Sequence, residues 1–236
     1  MGTVVDFHSH ILPGIDDGSA SVAESVALLQ QEAQQGVTHV VATPHFYPRY
    51  ESPQTFLKKR DQAEALLRQE MAKRTDFPQV LVGAEVYFFR GMSESEFLPQ
   101  LTIREKNCIL IEMPQAPWPE AVYRELDAIW VRRGIRPVIA HIDRYITPLR
   151  THGIPRNLEG LPVLVQANAS FFLDRSTAAM AIRMLRQDQI QLLGTDCHNL
   201  TDRKPNLGPA IRRIEKKLGN EALSRIHGYE NAVLGL

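Results

Sequence analysis

Cysteine is almost absent from this chain. Cys108 and Cys197 are the only two in 236 residues, too few for a disulfide framework, so a reducing compartment is expected. No charge of one sign dominates either. The 27 Lys and Arg are matched by 27 Asp and Glu, which leaves no basic excess to favour nucleic acid or an anionic membrane surface. No run approaches the roughly 18–20 apolar residues of a membrane span. The first strand pattern begins by Val4, leaving no room for a signal peptide. Repeats, low-complexity stretches and linkers are also missing. The expectation is one domain over residues 1–236, cytoplasmic, with no membrane insertion and no nucleic-acid partner.

What is present is alternation. Short β-branched runs at 4–8, 39–43, 80–86, 108–112, 138–141, 163–167 and 191–195 read as strands. Amphipathic stretches at 22–35, 53–73, 120–133, 177–188, 206–218 and 221–227 read as helices. Gly36 and Gly134 stand just past helix ends, and Pro53 and Pro119 stand where a first turn tolerates proline. Such alternation predicts a parallel sheet covered by helices. Seven strands in one domain of this length suggest a distorted seven-stranded (β/α) barrel of TIM type, with an open doubly wound sheet as the other possibility.

Parallel barrels carry their chemistry at the carboxyl ends of the strands. Here those ends are crowded with metal-ligand types. The first run ends in His8-Ser9-His10 and leads to Asp16-Asp17-Gly18, and the second ends in Thr43-Pro44-His45. Glu85 and Glu112 close the third and fourth, His141 the fifth, and Asp196-Cys197-His198 the seventh. His8 and His10 are two apart and leave an extended chain on one face. A buried carboxylate such as Glu85 or Glu112 needs a cation or a dense set of donors. Nitrogen and oxygen donors without thiolates suit manganese, iron or zinc. Nine candidate ligands are too many for one tetrahedral centre, so two or three ions are expected. Only the sixth run, ending in Gln166-Ala167-Asn168, offers no evident ligand. His39, His152 and His227 fall away from strand ends and read as structural or surface residues.

The H-x-H, T-P-H, G-A-E, strand-five histidine and D-x-H motifs together resemble the PHP (polymerase and histidinol phosphatase) superfamily, along the whole chain. DFHSHILPGIDDGS, GAEVYF, IEMP, PVIAHIDRY and DCHN resemble one branch of it. That branch is the manganese-dependent bacterial protein-tyrosine phosphatases encoded with capsule and exopolysaccharide genes. The resemblance implies three divalent ions, manganese foremost, with iron or zinc as alternatives. Carried over by motif, His8, His10, Glu85 and Asp196 would hold the first, and Glu85, Glu112 and His141 the second. Asp17, His45 and His198 would hold the third, with Asp16 competing for the place of Asp17. Arg144 and Arg203 match the branch's substrate-phosphate arginines, and a planar guanidinium suits phosphate oxygens. The strand-five motif departs from the usual H-x-E-R-Y, with Asp143 where the longer acid is common.

The implied activity is hydrolysis of phosphotyrosine in protein, with a bacterial tyrosine kinase of polysaccharide synthesis as the partner substrate. A small-molecule phosphatase such as one for histidinol phosphate, a metal-dependent nuclease, and a catalytically silent kinase-binding module are the rival readings. The segment from Cys197 to Arg203 also has the C-x5-R spacing of thiolate-dependent tyrosine phosphatases. No glycine lies between the two residues to let a phosphate loop curl. On a strand end, Cys197 should point away from Asp196 and His198.

Overall fold

The computed structural model describes residues 3–146 and 153–236; His152 lies outside them. Its strands are β1 (Val5–Ser9), β2 (His39–Ala42), β3 (His45–Phe46), β4 (Gln79–Val82), β5 (Glu85–Tyr87), β6 (Cys108–Glu112), β7 (Arg136–Ile139), β8 (Leu164–Asn168) and β9 (Leu192–Gly194). They form two sheets, β1-β2-β4 and β3-β5-β6-β7-β8-β9, with every pairing parallel. The expected count of seven strands in one sheet is therefore corrected, among the described residues, to nine in two. The predicted strand 80–86 is broken in two at Gly83-Ala84, and the one predicted at 39–43 is followed, past Thr43-Pro44, by the unpredicted β3. Proline has no N–H to give a ladder. A Cβ on Gly83 would lie 3.1–3.4 Å from Ile103, so the chain runs close to its neighbour there. Single hydrogen bonds span the breaks, from Gly83 N–H to the Ala42 carbonyl (2.8 Å) and from Glu85 N–H to the Pro44 carbonyl (2.9 Å).

The sheets curl. β1 and β9 meet through an isolated parallel bridge between Ser9 and Cys197. Asp196 N–H donates to the His8 carbonyl (2.7 Å) and His10 N–H to the Cys197 carbonyl (2.9 Å). Val5, Phe7, Val41, Leu110, Val138 and Leu192 form one apolar cluster, built almost wholly of strand residues. The alternate strand residues, among them Val40, Val82, Ile109, Ile139 and Leu193, join a larger cluster with the helices. β1 also slips register against β2 between Asp6 and Ser9. Such a bulge re-aims side chains beside a site: Asp6 turns toward Thr195, whereas His8 meets Gln166.

The long helices are α1 (Val22–Gln34), α2 (Pro53–Met71) and α3 (Glu120–Arg133), with short turns α4 (Asp143–Ile146), α5 (Ile154–Leu158) and α6 (Ala169–Leu173). Then come α7 (Ala178–Arg186), α8 (Leu207–Leu218) and α9 (Asn220–Leu234). Ser21 and Ser52 cap α1 and α2 by accepting from Glu24 N–H and Thr55 N–H. Gly134 ends α3 at φ 64°, where glycine avoids the left-handed penalty. α9 runs past the predicted end to Leu234, which packs in the strand-built cluster. None of the described helices is long and apolar enough to cross a membrane.

α9 also carries a buried acid. Glu230 is 3% exposed, and burial alone pushes its carboxyl up to about 8. In the unfolded chain it would ionise near the usual 4.5. Native protein thus keeps a proton that unfolded protein releases, so its contribution to stability is full below that value and is lost as pH rises toward 8. Glu230→Gln should raise the unfolding free energy, read by denaturant titration, by on the order of a few kcal/mol at pH 9 and change it little at pH 4. Equal gains at both values would reject burial of the charge as the cause.

Candidate metal centre

All nine predicted ligands come together at the carboxyl ends of the strands. His8 Nε2 and His10 Nε2 lie 3.0 Å apart. Glu85 Oε2 is 3.2 Å from the first and 3.3 Å from the second. Asp196 Oδ1 is 3.5 and 3.4 Å from them. A tetrahedron of ligand bonds of about 2.0–2.2 Å has edges of about 3.3–3.6 Å, so these spacings are those of donors around one ion. Two imidazole nitrogens at 3.0 Å can share at most one proton. Burial lowers the His10 imidazolium's pKa, but hydrogen bonds with Asp16, Asp196 and Glu85 raise it well above the ordinary value. The pocket calls for positive charge.

Glu85 is the hub. Besides His8 and His10, its Oε2 is 3.0 Å from His45 Nδ1, and its Oε1 accepts from His141 Nε2 at 2.7 Å. Glu112 Oε2 is 3.9 Å from His45 Nδ1 and, though buried, has no hydrogen-bond partner. Further out, Asp17 Oδ1 is 3.6 Å from His45 Nε2 and 3.5 Å from His198 Nε2. His198 Nε2 is likewise buried and unpartnered. Possible ligand groups are thus His8-His10-Glu85, His45-Glu85-Glu112 and His10-Asp17-His45-His198. Buried, unpartnered nitrogens and carboxylate oxygens facing one another offer the lone pairs that divalent ions would take. His45 reaches both outer groups, whereas His141 touches Glu85 rather than Glu112.

Asp16 and Asp17 divide their work. Asp16 Oδ2 accepts from His10 Nδ1 (2.8 Å) and from His45 N–H (2.9 Å). Burial opposes its ionisation, yet His10 and these bonds bring its pKa down to about 2. It orients His10, while Asp17, 65% exposed at its side chain, faces His45 and His198. A Cβ on Gly18 would lie 2.3 Å from the His10 carbonyl oxygen, which explains the glycine after the acid pair.

Arg144 and Arg203 meet at Asp196. Arg144 Nη2 donates to Oδ2 and Arg203 Nη2 to Oδ1 at 2.9 Å. Their side chains are 31% and 34% exposed, so both look out of the mouth. Asp143 turns elsewhere, accepting Asn168 N–H at 3.0 Å.

The sixth run supplies supports that its composition hid. Gln166 Oε1 accepts from His141 N–H (2.7 Å) and from His8 Nδ1 (3.2 Å). Gln166 Nε2 donates to Asn168 Oδ1, and Asn168 Nδ2 to Asp196 Oδ2, both at 3.1 Å. The signal was two amides, two residues apart, in an otherwise apolar strand. His141 and Asp196 take φ of 32° and 55°, a conformation costing roughly 1–3 kcal/mol each for residues other than glycine. Behind the site, Asp6 accepts from Thr195 N–H at 2.7 Å, beside fully buried Glu32.

Cys197 is fully buried, and its thiol faces Glu32 Oε1 at 3.9 Å. Burial, reinforced by Glu32 and Asp6, pushes its pKa well above the ordinary value. The loop's N–H groups are used internally. His198 N–H donates to the Arg203 carbonyl (2.8 Å), and the Thr201 and Arg203 N–H groups to Asn199 Oδ1 (3.0 and 3.1 Å). Neither a thiolate nor a phosphate cradle exists here. Cys197→Ser should keep most turnover, and thiol alkylation should barely inhibit. Near-complete loss with metal content intact would restore a cysteine mechanism.

Residues 4–234 match the family described as capsular polysaccharide synthesis, CpsB/CapC. Tyrosine-protein phosphatase CpsB of Streptococcus pneumoniae is 31% identical over 228 residues, covering 92% of this chain and 91% of the relative. Tyrosine-protein phosphatase CpsB of Streptococcus agalactiae serotype III (strain NEM316) is 28% identical over 240 residues, covering 97% and 96%. A solved chain from the crystal structures of Bacillus subtilis YwqE and S. pneumoniae CpsB, described there as unique metal-dependent tyrosine phosphatases, superposes with TM-score 0.82. It is 24% identical, with 97% of this chain and 93% of that one covered, and shows the shared fold.

Proposed function

The chain belongs to the CpsB/CapC capsular polysaccharide synthesis family, and we propose that it is a metal-dependent protein-tyrosine phosphatase, a phosphoric monoester hydrolase. The observation that carries this is the joining of two mouth arginines to one carboxylate, Asp196, that also faces His8 and His10. His8, His10, Glu85 and Asp196 would hold one divalent ion, Glu85, Glu112 and His141 a second, and Asp17, His45 and His198 a third. Manganese is the preferred ion. Bound there, such ions supply positive charge to phosphoryl oxygens and make water more acidic.

The chain's own residues do the rest. Each guanidinium has five N–H donors, and one on each side suffices for Asp196. The others receive the phosphoryl oxygens and oppose their charge as it redistributes. His8, His10 and Arg144 hold the Asp196 carboxyl well below the usual carboxylate range despite its burial. Gln166 fixes the His8 ring through Nδ1, and Asp16 does the same for His10. A phenol has pKa near 10, so phenolate departs without a strong general acid.

The substrate is phosphotyrosine on a bacterial tyrosine kinase of capsule or exopolysaccharide synthesis. The two curled sheets act as one distorted barrel, residues 1–236 as one domain. Turnover of a phosphotyrosine peptide against histidinol phosphate tests the reading. Preference for histidinol phosphate would replace it with the small-molecule alternative.

A further inference from the structure

A row of rings leads out of the metal centre. His45 and Glu85 are directly paired between β3 and β5. Side chains two residues on share their face, one step further out. Those residues are Tyr47 and Tyr87. Phe46 and Val86, between, turn the other way into the helix-covered core. The Tyr47 ring is 5.0 Å from the His45 ring and 5.6 Å from the Tyr87 ring. Tyr50 stands 6.3 Å beyond Tyr47, edge to face. It is 80% exposed, the most exposed large apolar side chain described.

Tyr50 is not simply loose. Its N–H donates to the Tyr47 carbonyl at 2.9 Å, and the Arg49 guanidinium lies 6.0 Å from its ring. Tyr87 is in register with Glu112 on β6, so the wall rises beside a candidate ligand. Asp196, which holds both arginines, is 3.4 Å from His10, and the His10 and His45 rings are 4.5 Å apart. Arg203 Nη1 is also 3.9 Å from Asp17 Oδ2, and Asp17 Oδ1 is 3.6 Å from His45 Nε2, so the arginines and the tyrosines share one mouth.

We propose that Tyr47, Tyr87 and Tyr50 form an aromatic wall that seats the aryl group of the substrate while Arg144 and Arg203 hold its phosphate. The inference rests on the phosphotyrosine reading and deepens it. Selectivity for aryl over alkyl phosphate monoesters then has two sources. One is the departing phenolate, a property of the substrate. The other is ring contact with the wall, a property of this chain. Offset or edge-on ring pairs add enough to change affinity about two- to tenfold.

Binding separates the two sources because no bond is broken. Phenylphosphonate and methylphosphonate are titrated calorimetrically into metal-loaded protein, into Tyr50→Ala and into Tyr87→Leu. Tyr47 is left intact because its hydroxyl is 3.2 Å from His45 Nδ1. Wild type should bind phenylphosphonate about tenfold more tightly than methylphosphonate, and each variant should lose about two- to fivefold of that ratio. The methylphosphonate Kd should not move. Equal affinity of wild type for the two probes, or an unchanged ratio in both variants, overturns the wall. Parallel weakening of both probes in both variants overturns it as well, because it marks a disturbed metal centre. Failure of the broader reading shows separately, as wild-type protein that does not hydrolyse phosphotyrosine peptide.

Discussion

Glu85→Ala is expected to abolish turnover and to strip more than one metal ion per chain. Glu85 lies fully buried within 3.3 Å of side-chain nitrogens on His8, His10, His45 and His141. Among the described residues, no other carboxylate touches so many of the predicted ligands. Its loss removes the counter-charge from four converging imidazoles at once. Deleting a single preorganised charge contact costs about 10²–10³ in kcat, and loss of a shared ligand should exceed that. The contrast is His45→Ala, at the rim with a 12% exposed side chain, which should lose less metal. Elemental analysis beside phosphotyrosine turnover reads both effects. Equal metal loss in the two variants would deny Glu85 its central place.

Gly194→Ala should be nearly as damaging although it removes no ligand. A Cβ there would stand 2.6 Å from His8 Cβ and 2.9 Å from His8 N and Gln166 Nε2. Two of those atoms belong to β1 itself and cannot swing aside like the end of a side chain. β1 must move off β9, carrying His8 with it. Overpacking of this kind costs about 1–3 kcal/mol of stability, and a displacement near 1 Å at a reacting centre costs about 10² in rate. Gly228→Ala is the matched control. It sits within α9 with nothing within 4 Å of the place a Cβ would take, and it should stabilise slightly, by about 0.5–1 kcal/mol. The denaturant midpoint and kcat of the two variants test the contrast, and near-wild-type kcat in Gly194→Ala would show that β1 can yield.

The strand ends were readable because they break a rule. His8, His10, Glu85 and Asp196 are polar groups on apolar runs, and their residue types are metal ligands. What could not be read was which donors converge. His45 is directly paired with Glu85 across β3 and β5, and that pairing draws it to Glu112 as well as to Asp17. The break at Pro44 was visible only as a strand end, because continuation of the ladder beyond it depends on the neighbouring strand. The choice between Asp16 and Asp17 turns on a tight loop in which Gly18 packs on His10, a contact that spacing does not encode. Gln166 and Asn168 went unassigned because amides at a strand end have many uses. Their role follows from reaching His8, His141 and Asp196 on other strands.

The most direct measurement of the central claim is metal content and phosphotyrosine-peptide turnover in the same preparation, before and after exhaustive chelation. Turnover should vanish as metal leaves, and manganese should restore it at least as well as magnesium, in step with ions bound per chain. Undiminished turnover in protein shown to be free of metal would contradict the account.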